Sequence, residues 1–94
     1  MNDVEVRHDA EAARYELVAE GSVIGLIDYV ERDGAEVFTH TEVAPDHRGT
    51  GLAAVLVRAA LDDVRSRGRT VVPQCWYVAD FIRDHPDYQD LLAA

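Results

Sequence analysis

The chain contains no lysine. All nine of its basic residues are arginine, set against 18 acidic residues for a formal net charge of -9. That balance opposes nucleic-acid binding, which needs cations to displace counterions from phosphate. An acidic surface steers amines and basic peptides weakly, and otherwise keeps a protein soluble. The missing lysine also removes the P-loop, whose Gly-Lys-Ser/Thr step has no counterpart here. The single cysteine, Cys75, can close no internal disulfide, and with four histidines it makes no zinc-finger spacing, so no metal is expected. Long apolar runs are lacking too. The longest, Leu52 to Leu61, is broken by Arg58 and falls far short of the roughly 20 residues of a membrane span, so no membrane is expected as a partner. Met1 to Glu5 shows no basic region followed by an apolar run, hence no secretory leader, and a reducing cytoplasm is the expected setting.

What is present fits one small domain spanning residues 1–94, a monomer or weak homodimer. Hydrophobic content of 48% beside 29% charged residues is ordinary for a folded chain. At this length folding buries about 60–65% of the surface the unfolded chain exposes, enough for one core.

Val4 to His8 alternates briefly, and Arg14 to Glu20 alternates through Tyr15, Leu17 and Ala19. Glu20-Gly21 reads as a tight turn into Ser22 to Glu31, whose two faces are both largely apolar, as in a strand covered on both sides. Arg32-Asp33-Gly34 is a second hairpin turn, followed by the β-branched and aromatic strand Ala35 to Val43. The period then becomes helical. Leu52, Val55, Leu56, Ala59, Ala60 and Val64 recur on one face, with Gly68 placed as a C-cap. Thr70 to Cys75 reads as a short strand weakened by Pro73, and Val78 to His85 as a short helix stopped by Pro86. Asp87 to Ala94 reads as a final turn or a frayed helix. The order is β-β-β-α-β-α with a mixed sheet, and a right-handed crossover sets Thr70–Cys75 parallel to Ala35–Val43.

The strongest local signal lies between the last long strand and the first helix. Gly49 and Gly51 leave backbone N–H groups open to an anion, the helix start at Leu52 and Ala53 presents its unpaired N–H groups, and Arg48 adds a cation. Gly49-Thr50-Gly51-Leu52-Ala53-Ala54 also matches a dinucleotide-binding fingerprint letter for letter. That fingerprint follows a strand directly and needs an acid about 20 residues on, whereas Pro45 and its neighbours intervene here and position 74 is glutamine.

Arg48-Gly49-Thr50-Gly51-Leu52-Ala53 resembles the Gln/Arg-x-x-Gly-x-Gly/Ala signature of the GNAT acetyltransferases. Phe38-Thr39-His40-Thr41-Glu42-Val43, Pro73-Gln74-Cys75-Trp76-Tyr77 and His85-Pro86-Asp87-Tyr88, in that order, resemble a compact branch of that superfamily of roughly a hundred residues. The resemblance runs from Ala35 to Tyr88, with Asp87 standing where glutamate is commoner. It implies a minimal GNAT-like α/β fold, trimmed of N-terminal helices and C-terminal strands. It also implies acetyl transfer from acetyl-coenzyme A to an amine or protein acceptor. Coenzyme A pyrophosphate would rest on Arg48 to Ala53, the pantetheine arm would pair with the backbone of Glu42 and Val43, and Tyr77 and Phe81 would stand along the cofactor. The alternative is a coenzyme A-binding module that acts through a partner without turnover.

Within this frame several residues carry two readings. Cys75 is either a nucleophile that takes the acetyl group, activated by His40 or a helix N-terminus, or a small buried hydrophobe. His40 and Glu42 share one strand face and either accept the amine's proton or are packed and solvated side chains. Tyr77 either protonates the leaving sulfur or is a half-buried aromatic. Trp76 and Phe81 read as cofactor wall or core, and His85-Pro86-Asp87-Tyr88 as a motif or as a structural segment in which Pro86 stops a helix and Tyr88 packs back on the core. His8 and His47 show no partner cue.

Overall fold

Two tight turns set up the sheet. In the computed structural model, which describes residues 4–93, Glu20-Gly21 and Asp33-Gly34 both take left-handed φ, at +50° and +79° and at +53° and +83°. Paired positive φ values give the hairpin turn whose twist suits antiparallel strands. The first turn joins β2 (Arg14–Ala19) to β3 (Ser22–Arg32), and the second joins β3 to β4 (Ala35–Val43). The brief alternation at the start proves to be a full strand, β1 (Val4–Asp9), paired antiparallel with β2 along its whole length. Four strands therefore precede the first helix, one more than the order read from the sequence. The leader-free reading of Met1 to Glu5 falls in part outside the described residues.

Helix α1 (Leu52–Ser66) ends in a Schellman cap, in which Gly68 N–H reaches Arg65 O at 3.0 Å and Arg69 N–H reaches Val64 O at 3.1 Å. Gly68 supplies the φ of +67° that this cap requires. The chain then enters β5 (Thr70–Pro73), which runs parallel to β4 in register Ala35↔Thr70 to Phe38↔Pro73, as the crossover rule requires. Helix α2 (Trp76–Asp84) follows, then a 3-10 turn over Pro86–Leu91. The sheet order is β1-β2-β3-β4-β5. Ala93 N–H bonds Val71 O at 3.0 Å, so the tail covers part of the outer edge of β5.

Tyr15, Leu17, Ile27 and Phe38 of the sheet and Leu56 and Val78 of the two helices belong to one core, so α1 and α2 share a side of the sheet. β3 is therefore not covered on both faces: Val23 is 51% and Val30 45% exposed. A chain of this length lacks a second helical layer for that side. The buried stripe of α1 is also turned relative to the reading from the sequence. Val57 and Leu61 are fully buried while Val55 is 43% exposed, because the i, i+4 rows 52-56-60 and 57-61 meet the sheet together.

At the C-terminal end of α1 the core is polar. Glu36 is fully buried, and its carboxylate takes the Tyr15 hydroxyl at 3.0 Å and the Arg67 guanidinium. Arg67 also holds Asp63 at 2.9 Å. His8 Nε2 meets the Tyr29 hydroxyl at 2.6 Å, and its ring stacks on Tyr15 at 4.3 Å. No local pattern in the sequence marked this network.

Candidate functional site

Proline chemistry opens the site. β5 stops at Pro73, which has no N–H to offer β4, and Gln74 N–H turns back onto Val72 O at 3.1 Å. One further bond, Cys75 N–H to Phe38 O at 2.9 Å, closes the parallel pair. Across the partner side of β4 the register slips between Asp28↔His40 and Tyr29↔Phe38, leaving Thr39 as an extra residue. Such a bulge bends and twists its strand. Beyond Phe38 the two parallel strands therefore diverge. Thr39 to Val43 keep β3 on one side and, among the described residues, have no strand on the other.

A cavity of about 390 Å³ occupies this opening, lined by His40 to Val43, Arg48, Ala53 and Cys75 to Tyr77. Glu42 O lies 3.2 Å from where a Cβ on Gly25 would stand, and Ala44 N–H bonds Ile24 O at 2.7 Å, so the main chain of both is turned to β3. By the alternation of a strand, Val43 faces the opening. Of the two residues expected to offer backbone to a pantetheine arm, only Val43 has its main chain turned the right way. Glu42 contributes side chain alone.

The phosphate-loop candidates follow directly. Pro45–His47 forms a 3-10 turn, and the Thr50 hydroxyl donates to His47 O at 2.6 Å, tightening the bend. Gly49 and Gly51 sit at φ +76° and +82°, so the loop needs glycine for its backbone shape, while a Cβ on either would meet nothing within 4 Å. Arg48 Nε donates to Val43 O at 3.1 Å, which draws the guanidinium across the mouth of the cavity and leaves its Nη groups for an anion. Gly51 is the N-cap of α1. It supplies no side-chain cap, and the first turn carries no acid. The N–H groups of Leu52 and Ala53 thus meet no intrahelical acceptor. Leu52 is itself buried, so only its backbone is offered.

Cys75 stands elsewhere than the sequence reading put it. It is not the last residue of β5 but the N-cap of α2, and its thiol donates to Thr41 Oγ1 at 3.4 Å. Thr41 pairs with the fully buried Ile27, on the helix side of the sheet. His40 and Glu42 alternate with Thr41, so they project from the other side, bonded to each other at 2.9 Å with side chains 55% and 59% exposed. The expectation that His40 activates Cys75 has no contact to support it; the helix N-terminus remains. Thr41, the thiol's partner, was missed, although its place between His40 and Glu42 marks it as the residue of the opposite face.

Tyr77 is half-buried and lines this cavity, with Trp76 packed edge-on at 5.8 Å and 73% exposed. Phe81, expected along the cofactor, does not line it. It is 6% exposed in the core, stacked on His85 at 3.9 Å, with Arg58 over its ring at 5.6 Å. The His85-Pro86-Asp87-Tyr88 segment clamps the tail to α1, the Tyr88 hydroxyl donating to Asp62 at 2.6 Å. No group of three or more potential metal ligands occurs among the described residues. No helix among them is long and apolar enough to cross a membrane.

Comparison with known proteins gives this geometry its relatives. A sequence model described as GCN5-related N-acetyl-transferase matches residues 14–91. Protein NATD1 of Danio rerio is 30% identical over 89 residues, covering 92% of this chain and 80% of that protein. The solution structure of a GCN5-like protein from Staphylococcus aureus superposes over 100% of this chain and 92% of its own, at a TM-score of 0.75 and 19% identity. An aminoglycoside N-acetyltransferase in complex with CoA superposes at a TM-score of 0.52 and 16% identity, covering 86% of this chain and 59% of its own. At these identities the two structures speak for the fold alone.

Proposed function

Because the chain belongs to the GCN5-related N-acetyltransferase family, we propose that it moves an acetyl group from acetyl-coenzyme A to an amine. The observation that carries this reading is the cleft left where β5 parts from β4. It runs without a break from the thiol of Cys75 to Arg48 and the start of α1. A linear thioester carrying pyrophosphate at one end needs such a slot with an anion site at one mouth. The Arg48 fork, the backbone of Gly49 to Gly51 and the first N–H groups of α1 would hold the pyrophosphate. The outward edge of β4 at Val43 would hydrogen-bond the amide-bearing arm as an added strand does.

Transfer then follows one of two balanced courses. In direct transfer the amine nitrogen attacks the thioester carbonyl, a C–N bond forms, the C–S bond breaks, and the amine's proton passes to His40 or Glu42. Tyr77, at the Cys75 end of the cleft, would return a proton to the departing sulfur. In the covalent course the Cys75 thiolate attacks the thioester carbonyl and the coenzyme's C–S bond breaks, releasing its thiolate. The amine then attacks the Cys75 thioester, whose C–S bond breaks to return the Cys75 thiolate, and the amine's proton passes through solvent to the coenzyme thiolate. Position favours different partners for each: Cys75 lies on the helix side of β4, His40 and Glu42 on the open side.

The test mixes the protein with acetyl-coenzyme A and a panel of amines, including a peptide with a free N-terminus, and follows free thiol. Amine-dependent thiol release above the protein-free rate is expected. Tight coenzyme binding by calorimetry without thiol release across the panel would make the chain a binding module instead. No binding at all would refute the whole assignment.

A further inference from the structure

β1 is the terminal strand of the sheet, and among the described residues nothing pairs with its outer edge. The other end of the sheet is partly closed. Ala93 N–H bonds Val71 O and Leu92 bridges Val71 in parallel, so the tail takes up the outer side of β5. The unpaired stretch of β4, Thr39 to Val43, is an inner wall of the cleft. Among the described residues β1 is thus the strand whose whole outer side is free, and a row of unpaired N–H and C=O groups is a template for one more strand.

The side chains of β1 say which strand fits. Val4, Val6 and His8 are half-buried on the helix side, and Glu5, Arg7 and Asp9 are exposed on the open side. Glu5 and Arg7 bond each other at 3.2 Å, with side chains 63% and 58% exposed. Across β2, Arg7 faces Glu16 while Glu5 faces Val18, so Glu5 has no cation on its inner side. Opposite charges two residues apart make the strand complementary to itself. In an antiparallel pair of two β1 strands centred on Val6, Glu5 of each stands opposite Arg7 of the other, and Val6 meets Val6. Opposed residues lie about 5 Å apart at Cβ, so each Arg7 rests between its own Glu5 and that of the second copy. Sliding the pair by two residues either way sets Glu5 on Glu5 or Arg7 on Arg7. In-register parallel pairing does both. Charge therefore selects one register, and Val6 is its centre.

We propose that β1 pairs with β1 of a second copy in this antiparallel register, joining two five-stranded sheets across a two-fold axis at Val6. The proposal stands apart from the acetyl-transfer reading. With the β5 end occupied by the tail, association closes at two copies. A single strand pair is a small interface, so the dimer belongs to the weak class, dissociating at about 10 μM to 1 mM. The clefts between β4 and β5 lie at the far ends of the joined sheet and stay open.

Sedimentation velocity tests this on the tag-free chain, since Met1 to Asp3 lead directly into β1. Between about 10 μM and 1 mM the mass should rise from 10.4 kDa toward twice that value and no further. Glu5→Arg or Arg7→Glu turns two symmetry-related pairs from attraction to repulsion and should weaken the dimer about tenfold or more. Mixed in equal amounts, the two variants should associate within about threefold of the wild type, because each supplies the charge the other lacks. Glu11→Arg and Arg32→Glu, exposed sites away from this edge with the same changes in charge, should each associate as the wild type does. Amide exchange over Val4 to Asp9 in the wild type should also slow as concentration rises, a readout that needs no variant. A chain still monomeric at about 1 mM overturns the proposal, as do species larger than a dimer. So do edge variants that associate like the wild type, or a mixture no tighter than its two components.

Discussion

Replacing Gly51 with aspartate tests the anion site at its centre. The residue caps α1 at φ +82°, and a Cβ there meets nothing within 4 Å, so the substitution strains the backbone without crowding it. Left-handed φ costs an ordinary residue about 1–2 kcal/mol, and less for aspartate. In a domain of this size each kcal/mol lowers Tm by about 4–8 °C, so the variant should remain folded at room temperature. Gly51→Ala carries the strain without the charge and is the control. The new carboxylate would lie beside the free N–H groups of α1 and face a bound pyrophosphate. Two unit charges about 5 Å apart repel by about 3 kcal/mol at an effective dielectric of 20, and exposure to salt reduces this. Coenzyme A affinity should therefore fall about 30- to 100-fold relative to Gly51→Ala, with the gap narrowing as salt is added. Calorimetry on both variants, each checked for a cooperative melt, is the assay. A Gly51→Asp protein that binds within about threefold of Gly51→Ala would refute the placement of pyrophosphate on Arg48 to Ala53.

Arg67→Met strands the fully buried Glu36 with only Tyr15 and the more distant Arg69 at 3.6 Å, and should cost about 2–4 kcal/mol in urea unfolding. In a Glu36→Gln background the same change should cost about 1 kcal/mol, and equal costs would disprove the coupling. Burial pushes the Asp63 carboxyl up, but hydrogen bonds from Tyr15 and Arg67 outweigh it and hold the group below its ordinary value. Its contribution is then complete above about pH 4 and is lost as pH falls through the lower folded value, which acid titration of the melt in wild type and Asp63→Asn would reveal. With no lysine in the chain, no side-chain amine can hold a stable acetyl amide, while an adduct on Cys75 is a thioester. Intact mass before and after hydroxylamine tells an amide from a thioester, and a resistant adduct mapped to Cys75 would contradict the thioester. Cys75→Ser should bind acetyl-coenzyme A normally yet lose several orders of magnitude in turnover if the covalent course holds. If turnover stays within a few-fold, His40→Ala or Glu42→Ala should instead reduce it by about 10²–10⁴.

The sheet was legible where local chemistry fixes it. Asp33-Gly34 and Glu20-Gly21 demand positive φ, Gly68 completes a cap, and the change of period at Leu52 marks the helix. The parallel partner of β4 followed from handedness alone. What the sequence hid is set by contacts distant along the chain. Nothing near Glu36 indicates that Arg67, 31 residues on, will bury beside it. Val55 looks like a core residue and is exposed, because the sheet's twist and not the apolar count chooses the face of α1. The shape of the glycine loop was legible, since its left-handed φ at Gly49 and Gly51 is written in glycines. The cleft beside it was not, because it arises from a strand ending at Pro73 and a bulge at Thr39, and a bulge leaves no mark in composition.

That bulge also decides which residues can act together. Inserting Thr39 re-aims every later side chain of β4, putting Thr41 under the helices with Cys75 and His40 with Glu42 on the uncovered side. Cys75 and His40, which the sequence reading paired, therefore project from opposite sides of the sheet. They form two separate devices and not a dyad. An acceptor reaching the cleft from the helix side would meet Cys75 first, where the covalent course has its carrier. An acceptor entering over the open face meets Glu42 and His40 first. Cys75→Ser and His40→Ala should therefore not fail together: whichever course operates, only its own variant should lose most of the turnover. Comparable losses in both variants, with the double variant no worse than either, would show the two sides acting as one unit and refute the separation.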